Sequence, residues 1–174
     1  TLPRIEQTAD FHCVTTWTAR NQSFSGYRFA DFYALLVQKL AEPESDANFV
    51  VFRCQDGFRA ALPLADLLNP NVLLADTHAG SPLTVKHGAP LRLVAPEHYG
   101  YKSPKHIKAI EFWCNDTHFA PPALRFMDHP RARVAHEERG RWFPGVLLRW
   151  LYRPLVNSTQ RKFKKFLDAK TKKA

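Results

Sequence analysis

The sequence predicts an α+β fold, a single domain built on a mixed sheet with a helical, basic C-terminal extension, and three observations lead there. Residues 49–64 run apolar, turn, apolar, as "FVVFRC", "QDG" and "FRAALPL", the pattern of a hairpin. Helical spacing occurs only in isolated stretches. Strands and helices do not alternate in the βαβ rhythm that a doubly wound sheet requires.

Taken in order, "RIEQTADFHCV" alternates loosely and predicts a strand leading into a loop. "SFSGYR" reads as turn residues ahead of a helix over 32–41, with Asp31 as its N-cap and Phe32, Leu35, Leu36 and Leu40 on one face at helical spacing. After the hairpin come a short helix, "LADLL", and a strand, "NVLLADTH". Gly and Pro then recur through a loop-rich stretch that holds one strand, "LRLVAP", before a last strand, "IKAIEFWC".

At 174 residues and 45% hydrophobic content, the chain is long enough for one domain with its own core. No window approaches the roughly 20 uninterrupted apolar residues of a membrane span. The net charge of +9 is unevenly placed: residues 1–130 hold 12 basic and 13 acidic residues, and 131–174 hold 13 basic and 3 acidic. A near-neutral body without an RNA or DNA motif argues against nucleic acid as a partner.

Cys13, Cys54 and Cys114 are odd in number and widely spaced, so they form neither a disulfide framework nor a CxxC metal site. Cys54 and Cys114 each end an apolar strand and read as core residues. Taken locally, Cys13 in "DFHCVTTW" is a buried structural thiol, a ligand or a nucleophile. His12 is a poor partner for it, because successive strand residues face opposite ways. Further on, "HGAPLRLVAPEHYGYKSPKH" brings His87, Arg92, Lys102, Ser103, Lys105 and His106 close to Gly or Pro. Such a loop suits an anion, and equally a solvated surface.

In this order and spacing, "DFHCVTTWT", "DGFRAALPLADLL" and "LTVKHGAPLRLVAPEHYGYKSPKHIKAIEF" resemble the molybdopterin-binding domain of the sulfite oxidase family, over about residues 6–116. The likeness is greatest to its bacterial branch, which includes the catalytic subunit of protein-methionine-sulfoxide reductase. The resemblance implies a sulfite oxidase-like fold over residues 1–130, an N-terminal segment missing from this sequence, and Mo-molybdopterin as cofactor. It implies Cys13 as the molybdenum ligand and catalytic centre, and His87, Arg92, Ser103 and Lys105 as cofactor-binding residues. The position of His106 is usually Trp in the family, and here reads as a surface histidine.

What the resemblance implies for activity is an oxidoreductase performing two-electron oxygen-atom transfer, with a separate haem or quinone-linked partner supplying or accepting electrons. "VTTWT" offers no positive charge before Arg20, which favours a sulfoxide or N-oxide over sulfite. The alternative is a non-catalytic family member that acts as a protein- or membrane-binding module. Residues 131–174 form the basic extension, with Trp142, Phe143, Val146, Leu147, Trp150 and Leu151 at helical spacing. That helix either closes the core or makes a peripheral contact, through residues 142–165, with a membrane or an acidic redox partner. The compartment stays open between bacterial periplasm and cytoplasm.

Overall fold

A computed structural model describes residues 1–121, 127–158 and 161. Two antiparallel sheets organise the chain. In the larger, β1 (Arg4–His12) pairs with β2 (Thr18–Arg28), β2 with β5 (Leu73–His78), and β5 with both β6 (Ser81–Pro82) and β7 (Arg92–Val94). In the smaller, β3 (Phe49–Cys54) lies between β4 (Arg59–Pro63) and β8 (Ile107–Trp113). The α+β architecture and the 49–64 hairpin agree with the sequence reading.

The core lies where the sheets and the first helix meet. Val50 and Phe52 of β3, Leu62 of β4, Leu74 of β5 and Leu93 of β7 pack with Phe29 and Leu67, the latter from α3 (Leu64–Leu67). β3 is apolar on both faces because it is central in its sheet and covered on both sides.

Two expectations are corrected. "SFSGYR" is not a turn but the second half of β2. Gly26 sits in that strand because β5 crosses it closely: a Cβ there would lie 2.1 Å from the Leu74 carbonyl oxygen and 2.7 Å from Ala75 Cα. The helix begins at Phe29, not Phe32, with Arg28 at its N-cap and no cap from Asp31. It runs through α1 (Phe29–Phe32), a π-helical stretch Tyr33–Val37 and α2 (Gln38–Leu40). The wider π turn rotates the face, so Phe29 and Val37 are buried and Leu35, Leu36 and Leu40 are exposed, Leu40 at 79%.

Cys54 is buried as expected, and burial pushes its thiol up to about 11. Cys114 is exposed, contrary to the sequence reading. β8 is an edge strand that ends one residue before it, and its thiol donates to Asp46 Oδ1 at 3.2 Å.

Residues 127–141 fold back onto the body. Tyr99 N–H donates to the Ala132 carbonyl at 2.9 Å, Val134 N–H to Glu97 at 2.9 Å, and Arg131 pairs with Asp66. Lys102, almost wholly buried, donates to the Ala61 carbonyl at 2.9 Å and Asp128 at 3.1 Å. This lysine is therefore a tie between layers.

Phe29→Ala should cost about 3–5 kcal/mol and Leu40→Ala no more than about 0.5 kcal/mol in urea unfolding. Gly26→Ala, forced against backbone, should cost about 1–3 kcal/mol or more. Equal losses for Phe29→Ala and Leu40→Ala would contradict the helix phase.

Candidate functional site

β1 and β2 are joined by a tight turn that carries the cysteine. Cys13 N–H donates to the Trp17 carbonyl at 2.9 Å, and Thr16 N–H to the Cys13 carbonyl at 3.1 Å. Closing the turn holds Thr16, a β-branched residue, at φ 74°, a conformation that costs roughly 1–3 kcal/mol. Cys13 is half-buried with Sγ 3.1 Å from Thr15 Oγ1, while the neighbouring His12 ring bonds Thr18 Oγ1 at 3.0 Å. His12 and Cys13 make no dyad.

On either side of the cysteine, Phe11 and Trp17 line a cavity of about 180 Å³. Phe24 of β2 continues its apolar wall, and the strand register brings His78 of β5 opposite Phe24, with ring centroids 4.7 Å apart. His87, from the short turn Val85–His87, stacks on His78 at 4.5 Å and is oriented by Thr84 Oγ1 at 3.0 Å from its Nδ1. Arg92 opens β7, lays its guanidinium over Phe24 at 4.8 Å and donates to the His87 carbonyl at 3.1 Å. Lys105 crosses to the Lys86 carbonyl at 3.0 Å.

Gly88 makes this convergence possible. It stands at φ 106°, and a Cβ would lie 2.9 Å from Lys105 Cβ and Cγ and 3.2 Å from Arg92 Cβ. His106, also at positive φ, is half-buried, and its Nδ1–H donates to the Ala89 carbonyl at 2.7 Å. The ring thus braces the Gly88–Ala89 turn, so the reading of a plain surface histidine is corrected.

Lys86, Arg92 and Lys105 line the cavity together with His78 and His87, and no carboxylate among the described residues lines it. Arg92 is only 4% exposed and pairs with no acid among the described residues; burial pushes it down to about 10, still charged at neutral pH. Desolvation, then the charges of His78 and the three cations, push His87 down to about 4. Desolvation and the same cations lower His78. Three cationic side chains lining one cavity, framed by aromatic faces, suit a multiply charged anion attached to a flat ring system. The volume is below the roughly 300–1,000 Å³ of pockets that hold a whole ligand, so it fits the phosphate end of such a molecule.

Of the sequence-derived residues, the structure brings His87, Arg92 and Lys105 to one cavity. Ser103 lies one step behind, in a crevice of about 10 Å³ that shares Phe11, Phe24 and Arg92, and its Oγ accepts from Ala95 N–H at 3.2 Å. Cys13 stands between two residues that line the cavity without lining it itself. Sequence reasoning missed His78, Lys86 and Phe24; once "SFSGYR" is read as turn, the Phe24–His78 pair has no basis. A larger cleft, about 540 Å³, holds His98, Arg131 and Arg133, but its arginines are already matched by Asp66 and Glu138.

The turn after Cys13 carries no charged side chain of its own and is held by a distant residue. Arg139, 125 residues beyond Val14, donates to the Val14 carbonyl at 2.6 Å and stacks its guanidinium on Tyr99 at 4.7 Å. Asp56, in contrast, is a turn residue as expected, accepting from Phe58 N–H at 3.0 Å.

The lowered histidines give a signed pH dependence. Between the ordinary histidine value of 6.5 and about 4, the unfolded chain binds more protons than the folded one, so stability falls as pH drops through this window. His87→Asn should flatten the slope of Tm against pH there. His78 and His129, lowered likewise, should keep part of it. An unchanged slope would contradict the placement of His87.

The comparisons with known proteins come to the same place. The family profile described as "Oxidoreductase molybdopterin binding domain" matches residues 1–119. An uncharacterized oxidoreductase, YuiH, of Bacillus subtilis is 38% identical over 111 residues, covering 64% of this chain and 54% of that protein. The protein-methionine-sulfoxide reductase catalytic subunit MsrP of Campylobacter jejuni is 28% identical over 157 residues, covering 78% and 51%. A putative protein-methionine-sulfoxide reductase subunit, YedZ1, of Azospira oryzae is 33% identical over 109 residues, covering 63% and 39%. The chain thus spans about half the length, or less, of these relatives. The sulfane dehydrogenase SoxCD of Paracoccus pantotrophus shares the fold, with a TM-score of 0.55 at 20% identity over 76% of this chain and 38% of that one. Matched over residues 1–119 and folded around a cationic, aromatic-walled cavity, the chain belongs to the oxidoreductase molybdopterin-binding domain family.

Proposed function

We propose that this chain holds Mo-molybdopterin with Cys13 as the protein ligand to molybdenum, and that it serves an oxidoreductase passing oxygen atoms to or from a sulfoxide or N-oxide. The observation that carries the reading is the buried Arg92 charge in a cavity lined also by Lys86 and Lys105 and, among the described residues, by no carboxylate. Arg92 and Lys105 neutralise the cofactor's phosphate, and His87 and His78 offer ring nitrogens to polar edges. Ser103 supports the Arg92 wall from behind through the backbone of Ala95. Residues 1–130 act as the cofactor-binding unit and 131–174 as its extension.

The bound cofactor supplies a two-electron redox centre with soft sulfur donors. The chain positions it. The closed turn fixes the Cys13 backbone, Arg139 locks that turn from beneath through Val14, and Phe11 and Trp17 keep water from the cavity on either side. Reduction of a sulfoxide consumes two electrons and two protons and releases water, so the electrons come one at a time from a separate haem or quinone-linked partner. That two relatives are named as subunits supports a separate partner in general.

The sulfoxide preference draws on those relatives and on the direction of Arg139. Its guanidinium is buried against Tyr99 and committed to a carbonyl, so it does not present a charge for sulfite.

In a molybdopterin-competent host the protein should carry near-stoichiometric molybdenum. Arg92→Met, which keeps volume and removes charge, should lower cofactor loading at least tenfold with the fold intact by circular dichroism. Full loading of that variant, or a folded wild-type protein without molybdenum, would refute the proposal and favour a non-catalytic binding module. With a viologen donor, loaded protein should reduce methionine sulfoxide at least tenfold faster than it oxidises sulfite; the reverse order would overturn the substrate reading.

A further inference from the structure

The helix α4 (Gly145–Tyr152) turns two sides to different surroundings. Leu148 and Tyr152 are buried against the body, while Val146, Leu147, Trp150 and Leu151 are exposed, Val146 at 62% and Trp150 at 70%. At about 100° per residue these four fall within an arc of about 140°, with Arg149 and Arg153 along one edge. The sequence reading left open whether this helix closes the core or faces outward. Val146, Leu147, Trp150 and Leu151, the residues of that apolar pattern within α4, all face outward.

We propose that this outer face docks on an anionic lipid bilayer and lies in the plane of its interface. From Arg139 to Arg161 the sequence holds five arginines and no carboxylate; Arg139 is buried and Arg141 and Arg149 pair with Asp116 and Glu137, which leaves Arg153 and Arg161 with the six lysines that residues 162–173 add against one aspartate. An aromatic and aliphatic stripe edged by cations is matched by acyl chains beneath acidic headgroups. A second copy of the chain would bring together two basic edges at Arg153, beside the basic residues that follow in the sequence, so like charges oppose that occupant. No helix among the described residues is long and apolar enough to cross the bilayer, so the contact is peripheral.

The helix is fixed relative to the cysteine turn. A Cβ on Gly145 would lie 1.8 Å from the Glu137 carbonyl oxygen, Arg149 pairs with Glu137 at 2.8 Å, and Arg139 of the same segment holds Val14. Val146, Arg149, Trp150 and Arg153 share a cavity of about 430 Å³ with Thr16. Docking α4 therefore sets the Cys13–Trp17 turn beside the membrane surface, where a lipid-borne electron donor or an oxidised membrane protein is met. That consequence rests on the proposed role of Cys13; the docking itself does not.

Co-sedimentation with vesicles of phosphatidylcholine containing 30% phosphatidylglycerol tests it, with the chain at 0.1 M salt. The wild-type chain should partition at least tenfold more strongly than onto pure phosphatidylcholine, and Leu147→Glu/Trp150→Glu should lose at least tenfold. Acyl-chain bromination should quench tryptophan fluorescence in the wild type and much less in Trp150→Phe. Wild-type partition by the double variant would mean that basic residues alone act, and would overturn the proposal. So would equal binding to both vesicles, no binding at all, or a dimer in solution that the double variant dissolves. Molybdenum loading of the double variant should stay at the wild-type level, which separates failure of this proposal from failure of the cofactor reading.

Discussion

The structure around the cavity depends on where the Arg92 charge is placed. An arginine nearly removed from water keeps its charge here by donating to the His87 carbonyl and lying over Phe24, with no acid paired to it among the described residues. Burial of an unbalanced charge is costly, and its lowered proton affinity expresses that cost. Lys86 and Lys105 line the same space beside it. A ligand bearing two or more negative charges removes the cost, so binding it stabilises the folded state by linkage. β7, the Gly88 turn and the His78–His87 stack are the scaffold that keeps the charge in place.

The second constraint is long-range. The Cys13 turn is local in sequence, but its geometry is supported from the far end of the chain by Arg139, and Phe11 packs so closely on Gly100 that a Cβ there would lie 2.1 Å from the Phe11 ring. The body and residues 127–141 thus share hydrogen bonds at the point where the proposed chemistry sits. A turn with Thr16 in a left-handed conformation persists only where its surroundings enforce it, and these contacts do so.

How much of this was legible in the sequence depends on the range of the forces involved. The 49–64 hairpin, the "LADLL" helix and the later strands were readable because apolar runs and turn residues act within a few positions. β2 was not, because Gly26 in its second half is set by the close approach of Leu74, a contact 48 positions away. The helix phase failed at Leu35, Leu36 and Leu40 because a π turn changes the rotation per residue, which a fixed period cannot register. Cys114 looked like core because strand composition does not say which strand lies at a sheet edge. At the site, the resemblance pointed to His87, Arg92 and Lys105, which the structure brings together, while His78 and Lys86 required the β2–β5 register.

The proposal that Cys13 is the protein's sulfur ligand to molybdenum is tested most directly by X-ray absorption at the molybdenum edge of loaded protein. The wild type should show three sulfur neighbours, two from the pterin dithiolene and one from the protein, falling to two in Cys13→Ser while Cys54→Ser and Cys114→Ser keep three. Three sulfurs retained in Cys13→Ser would contradict the account.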